Sequence, residues 1–580
     1  MTATIHPAMR VTPRRRGPIG WPMWAHVALL ALVLGVGLAV VGTRGLISAD
    51  EGAALTQARL IGQGNWGSGY RAEQIDPGGR WFPIHLSDHS GGRWYPYVKL
   101  PAYPALVAVL LGAGGLGLVL VGQLLGTVAA AACAGLLARR LAGSRPRAPA
   151  IGVATVWAVG IGSPLMFDSY WVLAHSIAAA GATFAALGMV MVVDRRPVGL
   201  AAMASGLAVA VMFRTEGVLF GVALAAACGV AWLLTRRALP IAAAAVVAGV
   251  TALGYYGNAQ LARTVMGGAS AEPFVIRDRV GWLAGRWPGF VATFLTPQLR
   301  GTPWSGWLLV GGSLGLAVGI IGLRRRSLPD GLVRVVLVCS AAAVVLRCLM
   351  GPTFLPGILV TFPVGVAGMC LLRRRELHDV ATAPILAMSG LFAAAIVATQ
   401  YSAGGTGDWG GRYLHLVVPA VAAVSVVAVS DLIDATDRRT GRAVVATLVA
   451  MSLGLAVFGL RTAHYFHSYS DRLTTTVDEV ARRTGSAAQT GGPVVLTDME
   501  SFGRFAWRSV LDGRYLRVTT SADLGPAAAA LDRNQVPDLT VVTRSSSLGP
   551  VLDGLGAHYA AVPGSARVVG DWSVVVLRRR

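Results

Sequence analysis

Long apolar runs follow one another from Trp24 to Leu460, and short polar or arginine-rich stretches separate them. The runs are about 17 to 22 residues long, which is enough for a helix to cross the hydrocarbon core of a membrane. They are continuously apolar and do not alternate with polar residues, so they indicate helices and not the strands of a barrel. The pattern predicts an all-α, multi-pass membrane protein with about thirteen spanning helices.

Clusters of arginine stand at the ends of these apolar runs, as is typical of the cytoplasmic loops of membrane proteins. Counting crossings with every cluster inside places the N-terminus in the cytoplasm and the last segment outside, in a plasma membrane. The net charge of +22 is then a feature of membrane topology, and no nucleic-acid partner is predicted. The clusters are Arg14–Arg16, Arg139 with Arg140, Arg195 with Arg196, Arg236 with Arg237, Arg324–Arg326, Arg373–Arg375, and Arg438 with Arg439.

The apolar stretch Leu100–Leu137 is too long for a single crossing. Two crossings would leave Arg139 and Arg140 on the outer side, which contradicts the charge rule. Glycines interrupt the stretch near its middle. We therefore predict a short hydrophobic helix, Pro101–Leu111, at the outer surface, followed by a crossing helix, Leu116–Leu137. The interrupting glycines are Gly112, Gly114, Gly115 and Gly117.

The chain divides into three parts. Residues 1–23 form a basic cytoplasmic N-terminus, and residues 24–461 form the membrane domain with an outer loop at 46–99. Residues 462–580 are less apolar and predict a small extracytoplasmic α/β domain. Within the membrane domain we predict that the seventh span ends near Tyr256 and that an outer loop follows to Trp304. In the last part the predicted strands are Val494–Leu496, Leu516–Thr519 and Leu539–Val542, with a helix at Asp523–Asp532.

A carboxylate pair, Asp50 and Glu51, directly follows the first span. Carboxylates at the surface of a membrane are costly to bury, and their pKa values are easily shifted. One of the two could act as a general base on a hydroxyl. The alternative is structural. Ser48 or Asp50 could cap a helix that runs to Ile61, with Glu51 in its first turn. Both interpretations are compatible.

The single lysine of the chain, Lys99, stands where the loop meets the next hydrophobic helix. Its ammonium could bind a lipid-linked phosphate, with Arg93, His85 and His89 adding contacts, or it could be an anchor at the membrane interface. The two histidines could also bind a metal, but no third ligand has suitable spacing.

Further polar motifs fall in loops that the count places on the same outer side. Ionisable groups at the ends of spanning helices are often functional, although an Arg214–Glu216 salt bridge or a simple glycine turn would explain some of them. The candidate residues are Asp168 and His175 after the third span, Arg214 and Glu216 after the fifth, and Asp408, Arg412 and Tyr413 before the twelfth.

At these motifs the sequence resembles the GT-C superfamily of glycosyltransferases that use polyprenyl-phosphate sugars. Within it the chain is most similar to bacterial relatives of protein O-mannosyltransferases and lipid A aminoarabinose transferases (GT39/GT83-like). The resemblance rests on three motifs, in this order along the chain. They are Asp50-Glu51 after the first span, Lys99-Leu100-Pro101 where the family has Lys-Pro-Pro, and Trp409-Gly410-Gly411-Arg412-Tyr413-Leu414 before a late span.

The resemblance implies transfer of a sugar from a polyprenyl-phosphate donor to an acceptor hydroxyl at the outer face, with inversion. Asp50 would be the general base, Glu51 would orient it, and Lys99 with Arg93 or Arg412 would hold the leaving phosphate. Mannose is the first expectation for the sugar if the chain is actinobacterial. The acceptor could be a glycan, a protein or an exported peptide. Some members of the superfamily bind a divalent metal, and no cofactor is otherwise implied.

Two other classes of protein compete with this prediction. A transporter or lipid flippase would show inverted repeats and charges at the membrane midplane, whereas no internal repeat is found and the polar motifs lie at one surface. A non-catalytic scaffold would leave the loop carboxylates without a role. The order of the motifs favours the glycosyltransferase.

Overall fold

The computed structural model describes residues 21–267, 282–295, 304–351, 356–399, 409–483 and 492–580. The chain is mostly helical, and short strands occur in the first loop and near the C-terminus. The helices up to the late membrane region are α1 Met23–Val41, α2 Ala49–Gly62, α3 Ala102–Ala142, α4 Ala148–Gly160, α5 Leu165–Asp168, α6 His175–Val193, α7 Val198–Phe213, α8 Glu216–Thr235, α9 Ala238–Met266, α10 Trp282–Phe294, α11 Trp307–Arg325, α12 Asp330–Leu349, α13 Ile358–Thr361, α14 Pro363–Leu371, α15 Thr382–Thr399, α16 Val418–Asp434 and α17 Arg438–Arg483.

Within the described residues, nine helices are long and apolar enough to cross a membrane, so the chain is a multi-pass membrane protein. They are α1, α3, α6, α8, α9, α11 with the turn before it, α12, α15 and α17. Every predicted span has a helix at its place. Four of these places hold helices of only 9 to 17 residues, namely α4, α7, α14 and α16. The predicted count of thirteen crossings is therefore not confirmed.

The helix α3 is broken where the sequence predicts it. Gly114 and Gly115 have non-helical backbone angles, and Gly115 has a φ of 66°. A hydrogen bond shows that the two limbs fold against each other. The side-chain amide of Gln123 donates to the Tyr103 hydroxyl at 3.3 Å. Residues 20 positions apart in a straight helix would lie about 30 Å from each other. The first limb thus begins at Ala102, shortly after Lys99, and leads into the predicted break at Gly114 and Gly115.

Among the residues that the structure describes, arginines from several of the predicted inner loops lie at one end of the bundle. Arg140, at the end of α3, pairs with Asp194 after α6 at 3.1 Å. Arg145 and Arg375 both pair with Asp431 near the end of α16, at 2.8 and 3.7 Å. The polar motifs of the predicted outer loops are at the other end of these helices. The two sets therefore separate along the bundle as the crossing count requires.

Two helices are longer than the sequence predicts. The helix α9 continues past Tyr256 to Met266, so the predicted loop start at Gly257 is wrong. The helix α17 does not end near Leu460 but runs on to Arg483 as one element of 46 residues. Hydrophobicity marks where a helix leaves the apolar core, and it does not mark where the helix ends. The boundary predicted between residues 461 and 462 falls inside α17.

The C-terminal region is a mixed sheet flanked by helices, as predicted. Its elements are β3 Val494–Thr497, α18 Phe502–Phe505, β4 Arg514–Arg517, α19 Ser521–Arg533, β5 Asp538–Arg544, α20 Leu548–Leu555, β6 Tyr559–Ala561, β7 Arg567–Val569 and β8 Trp572–Arg579. The sheet order is β4-β3-β5-β8-β6, and β7 also pairs with β8. The strand β3 is parallel to β4 and β5, and the pairs with β8 are antiparallel.

The first loop packs into this C-terminal domain. Its only strands, among the described residues, are the hairpin β1 Asp88–Ser90 and β2 Arg93–Tyr95. Ile75 and Trp81 join the core formed by the sheet with α19 and α20, and Phe82 and Ile84 join the core on the other side, with α17 and α18. The predicted outer loop 46–99 and the C-terminal domain are thus held together by two shared apolar cores.

Candidate active site

The carboxylate of Glu51 fixes the beginning of α2. Ser48 is the N-cap residue, and it forms a capping box with Glu51. Glu51 Oε1 accepts the backbone N–H groups of Ile47 and Ser48 at 2.7 and 2.6 Å, and Oε2 accepts that of Val172 at 2.9 Å. Capping groups of this kind satisfy the free N–H donors of a helix start. Glu51 therefore fixes the start of α2, the helix whose first turn carries Asp50.

Asp50 is surrounded by three cations that come from distant parts of the chain. Its Oδ2 lies 3.0 Å from Lys99 Nζ and 3.3 Å from an Arg412 nitrogen, and its Oδ1 lies 2.8 Å from an Arg504 nitrogen. Lys99 above all, followed by Arg412 and Arg504, holds the pKa of Asp50 well below its ordinary range, although burial opposes them. The carboxylate is thus a fixed negative charge at the centre of a cationic cluster.

The Trp-Gly-Gly-Arg motif explains how Arg412 reaches Asp50. Trp409 is buried and stacks on Phe167 with 4.8 Å between ring centroids. Gly410 and Gly411 have φ angles of 65° and 62°, a region that favours glycine. A Cβ on Gly411 would lie 2.6 Å from the carbonyl oxygen of Thr293, so no side chain fits there. The backbone can turn sharply at this point and aim the next residue at Asp50.

A buried histidine supports the same turn. His415 Nδ1 lies 2.6 Å from Asp168 Oδ2, and its Nε2 lies 3.1 Å from the carbonyl oxygen of Gly410. Because a carbonyl only accepts, Nε2 is the donor there. Asp168 was a candidate from the sequence, whereas His415 was not. Their pair ties the segment after α4 to the loop that carries Arg412, which indicates a positioning role for Asp168.

Four other predicted residues lie near the cluster. Arg214 and Glu216 form a two-pronged ion pair, with distances of 2.8 and 2.6 Å, and both side chains are buried. This is the salt bridge that the sequence left as an alternative. His175 is fully buried against Trp171, with 6.1 Å between the rings, and within the described part of the chain neither of its ring nitrogens has a hydrogen-bond partner. Tyr413 accepts a hydrogen bond from Arg412 at 3.2 Å.

The remaining predicted residues are not part of the cluster. Arg93 lies in β2 and is not among the three cations that pair with Asp50 in the described structure. His85 pairs with Glu500 at 3.0 Å, and His89 packs on Trp94. Asp408 lies outside the described residues. The two histidines therefore face different neighbours, and the described residues contain no group of three or more His, Cys, Asp or Glu placed to hold a metal.

Arg504 is the one of the three cations around Asp50 that the sequence did not predict. It comes from α18 of the C-terminal domain, 454 positions after Asp50. It lies in a segment with no motif and no arginine cluster. To predict Arg504 from the sequence, one would have to know that the C-terminal domain folds onto the first loop. No local sequence pattern indicates this.

We predict that Glu51→Gln destabilises the protein without removing a group from the cluster. The amide NH₂ of glutamine would face the Val172 N–H, which then lacks an acceptor at a cost of about 1–3 kcal/mol. The change should lower the temperature at which the detergent-solubilised protein loses its monomer peak in size-exclusion chromatography. Glu73→Gln, on the exposed surface of the same loop, serves as the control and should have no effect. Equal stability of the two variants would contradict the capping role.

The same residue predicts a dependence of stability on pH. Burial raises the pKa of Glu51 from 4.5 to about 8, against the effect of its three backbone hydrogen bonds. An acid with a raised pKa in the folded state contributes stability that is complete below its unfolded pKa and is lost as the pH rises through the folded value. Thermal stability should therefore fall as the pH rises from 4.5 to about 8, the two pKa values of this group, and Glu51→Gln should flatten that part of the curve.

Comparisons with known proteins find similar structures but no similar sequences. No protein family model matches the chain, and no curated protein sequence matches it. It is similar in structure to the Archaeoglobus fulgidus oligosaccharyltransferase tethered with an acceptor peptide, with a TM-score of 0.52 and 13% identity over 93% of this chain and 73% of that one. It is also similar to ArnT from Cupriavidus metallidurans bound to undecaprenyl phosphate, with a TM-score of 0.46 and 17% identity over 97% and 98% of the two chains.

The likeness to the archaeal oligosaccharyltransferase confirms the predicted GT-C fold. At an identity this low it establishes the fold alone, because one fold serves many activities. The activity has to be argued from the residues around Asp50.

Proposed function

We propose that this GT-C chain is a membrane glycosyltransferase that moves a sugar from a polyprenyl-phosphate donor to an acceptor hydroxyl, with Asp50 as the general base. The observation that carries the proposal is the cluster in which a carboxylate and three cations meet at one end of the bundle. A glycosyl transfer of this kind needs both signs of charge within a few ångströms, one to remove a proton and the other to hold the leaving phosphate.

The cations suit the leaving group. When the bond between the sugar and the phosphate breaks, the phosphate gains negative charge, and fixed positive groups stabilise that charge most in the transition state. Lys99 provides a compact charge, while Arg412 provides a planar fork suited to phosphate oxygens. Lys99 also stands beside the first limb of α3, which is where a lipid tail would have to leave the site for the membrane.

The carboxylate suits the acceptor. In our proposal Asp50 takes the proton of the acceptor hydroxyl as its oxygen attacks the anomeric carbon. The bond to the phosphate breaks on the opposite face of the sugar, so the configuration inverts. Glu51 and the Asp168–His415 pair keep Asp50 and Arg412 in place. A nucleotide sugar is not part of the proposal, since no glycine-rich phosphate loop is found in the sequence.

The finer identity of the substrates is part of the proposal. Mannose is the first donor sugar to test, and the acceptor is a glycan, a protein or an exported peptide. The archaeal oligosaccharyltransferase carries an acceptor peptide in one of its structures, which supports a polymeric acceptor. We further propose that the N-terminus is cytoplasmic and that the cluster and the C-terminal domain face the outside.

The experiment supplies the purified full chain with radiolabelled sugars on polyprenyl phosphate, together with a panel of glycan and peptide acceptors. We expect transfer from at least one lipid-linked sugar and none from the corresponding nucleotide sugar. Transfer from the nucleotide sugar alone would overturn the proposal. Movement of the intact lipid between the leaflets of a vesicle, without transfer, would point to a flippase instead.

A further inference from the structure

The C-terminal domain places one arginine inside the charged cluster. Arg504 is buried, and its guanidinium lies 2.8 Å from Asp50 Oδ1, whereas Lys99 and Arg412 contact Oδ2. Each oxygen of the carboxylate thus has its own cationic partner. Two of these cations come from the membrane domain, and the third comes from a domain that the chain reaches only after its last spanning helix.

Close packing fixes Arg504 in this position. The helix α18 lies so near the first turn of α2 that a Cβ on Gly52 would overlap the backbone carbonyl of Arg504. The following residues are also tied to the membrane domain. Arg59 donates to the carbonyl oxygen of Trp507 at 3.0 Å, and Arg508 donates to that of Arg44 at 2.9 Å. The position of Arg504 is therefore built into the docking of the domain.

The cluster has more positive charge than Asp50 needs. One carboxylate facing three cations leaves an excess of two positive charges, at the formal charges of these groups. The neighbouring ion pair, Arg214 with Glu216, is already balanced. A phosphate monoester near neutral pH carries about −1.5 to −2 charges. The excess thus matches the product that a lipid-phosphate donor leaves behind.

We propose that Arg504 is a phosphate-binding residue contributed by the C-terminal domain, and that Asp50 occupies the cations which the donor phosphate takes over when it binds. The proposal rests on the function proposed above. Phosphate and Asp50 compete for the same three groups. When the phosphate draws the cations toward itself, Asp50 loses its partners and becomes a stronger base. The carboxylate is therefore activated only when a donor is present, and a docked C-terminal domain is part of the donor site.

The test measures binding, not turnover, with undecaprenyl phosphate as the probe. Thermal stabilisation of the full chain in detergent is followed as the lipid is titrated, and undecaprenol, which lacks the phosphate, is titrated in parallel. Arg504→Met should weaken binding of undecaprenyl phosphate about tenfold or more, because a charge-assisted hydrogen bond is lost. Asp50→Asn should strengthen binding, because it removes the competing anion. Neither variant should change the response to undecaprenol.

Two further variants separate phosphate binding from a structural role. Arg508→Met removes a docking contact of the same segment but no cation of the cluster, and it should bind the lipid as the unchanged chain does. Arg504→Lys keeps the charge and should recover part of the affinity. Normal binding by Arg504→Met, or weaker binding by Asp50→Asn, would overturn the inference. Failure of the unchanged chain to bind undecaprenyl phosphate would instead overturn the proposed function.

Discussion

Asp50→Asn is expected to lower the rate of sugar transfer by about 10²- to 10⁴-fold at saturating donor and acceptor, the range that a lost general base typically costs. Asparagine has nearly the same size as aspartate, and its single carbonyl oxygen can still accept hydrogen bonds on one side, either from Lys99 and Arg412 or from Arg504. It cannot take a proton from the acceptor hydroxyl. The expected loss therefore lies in the maximal rate, while binding of the donor lipid is retained or improved.

The control for this substitution is Asp194→Asn at the opposite end of the bundle. Asp194 is also paired with an arginine, Arg140, at 3.1 Å, and its side chain is 44% exposed. Its replacement should leave the rate within about twofold, since surface ion pairs contribute little to stability. Both variants are compared by initial rates and by their elution in size-exclusion chromatography. A normally folded Asp50→Asn protein with full activity would exclude Asp50 as the base.

Much of the membrane region follows from its sequence, because the bilayer imposes simple rules. A helix is found at the place of every span that length and hydropathy predict, and arginines of several predicted inner loops meet at the same helix ends. The charge rule also required the bend in α3, and the backbone at Gly114 and Gly115 has it. In the C-terminal domain, short runs of branched apolar residues predicted β3 and β5 within a few residues.

The site was predictable in part, for a different reason. Asp50, Lys99 and Arg412 stand beside spans whose ends meet on one side, so membrane topology brings them together. Arg504 could not be found in this way, because its position depends on how a folded domain packs on the first loop. Arg93 is close to Lys99 in sequence, but it lies in β2 and is not among the cations that pair with Asp50 in the described structure.

Glu51 shows why a residue type alone does not give a role. Next to Asp50 it looked like a second catalytic carboxylate. The structure uses both of its oxygens to accept backbone N–H groups, which is the capping alternative that the sequence left open. The local rule for helix starts is therefore sufficient to predict the contacts of Glu51. The role of Asp50, in contrast, depends on cations from three separate parts of the chain.

Substitution of Lys99 is the second change for which we expect a large loss of activity. Replacing it by methionine should lower kcat/KM for the donor by about 10²- to 10³-fold, the cost typical of losing one group that stabilises charge in a transition state. Methionine keeps most of the length and the apolar stem of lysine, so the packing at the start of α3 is preserved. The measurement is kcat/KM over a range of donor concentrations at fixed acceptor.

The protonation state of Lys99 also predicts how the activity depends on pH. Burial, together with the positive charges of Arg412 and Arg214, lowers the pKa of Lys99 below its ordinary 10.5, although Asp50 acts in the opposite direction. Below its own pKa the side chain is an ammonium that binds phosphate, and above that pKa it is a neutral amine that does not. Activity should therefore fall on the alkaline side at a lower pH than an ordinary lysine would give.

Lys99→Arg tests the assignment, because a guanidinium stays charged throughout this range. The variant should be slower, since the planar fork does not reproduce the point charge, but its alkaline decline should move to higher pH. Lys99 is the only lysine in the chain, so reductive ¹³C-methylation gives one lysine signal whose NMR titration reports its pKa directly. An alkaline limb that Lys99→Arg leaves unchanged, or a titration at or above the ordinary value, would contradict the role assigned to this ammonium.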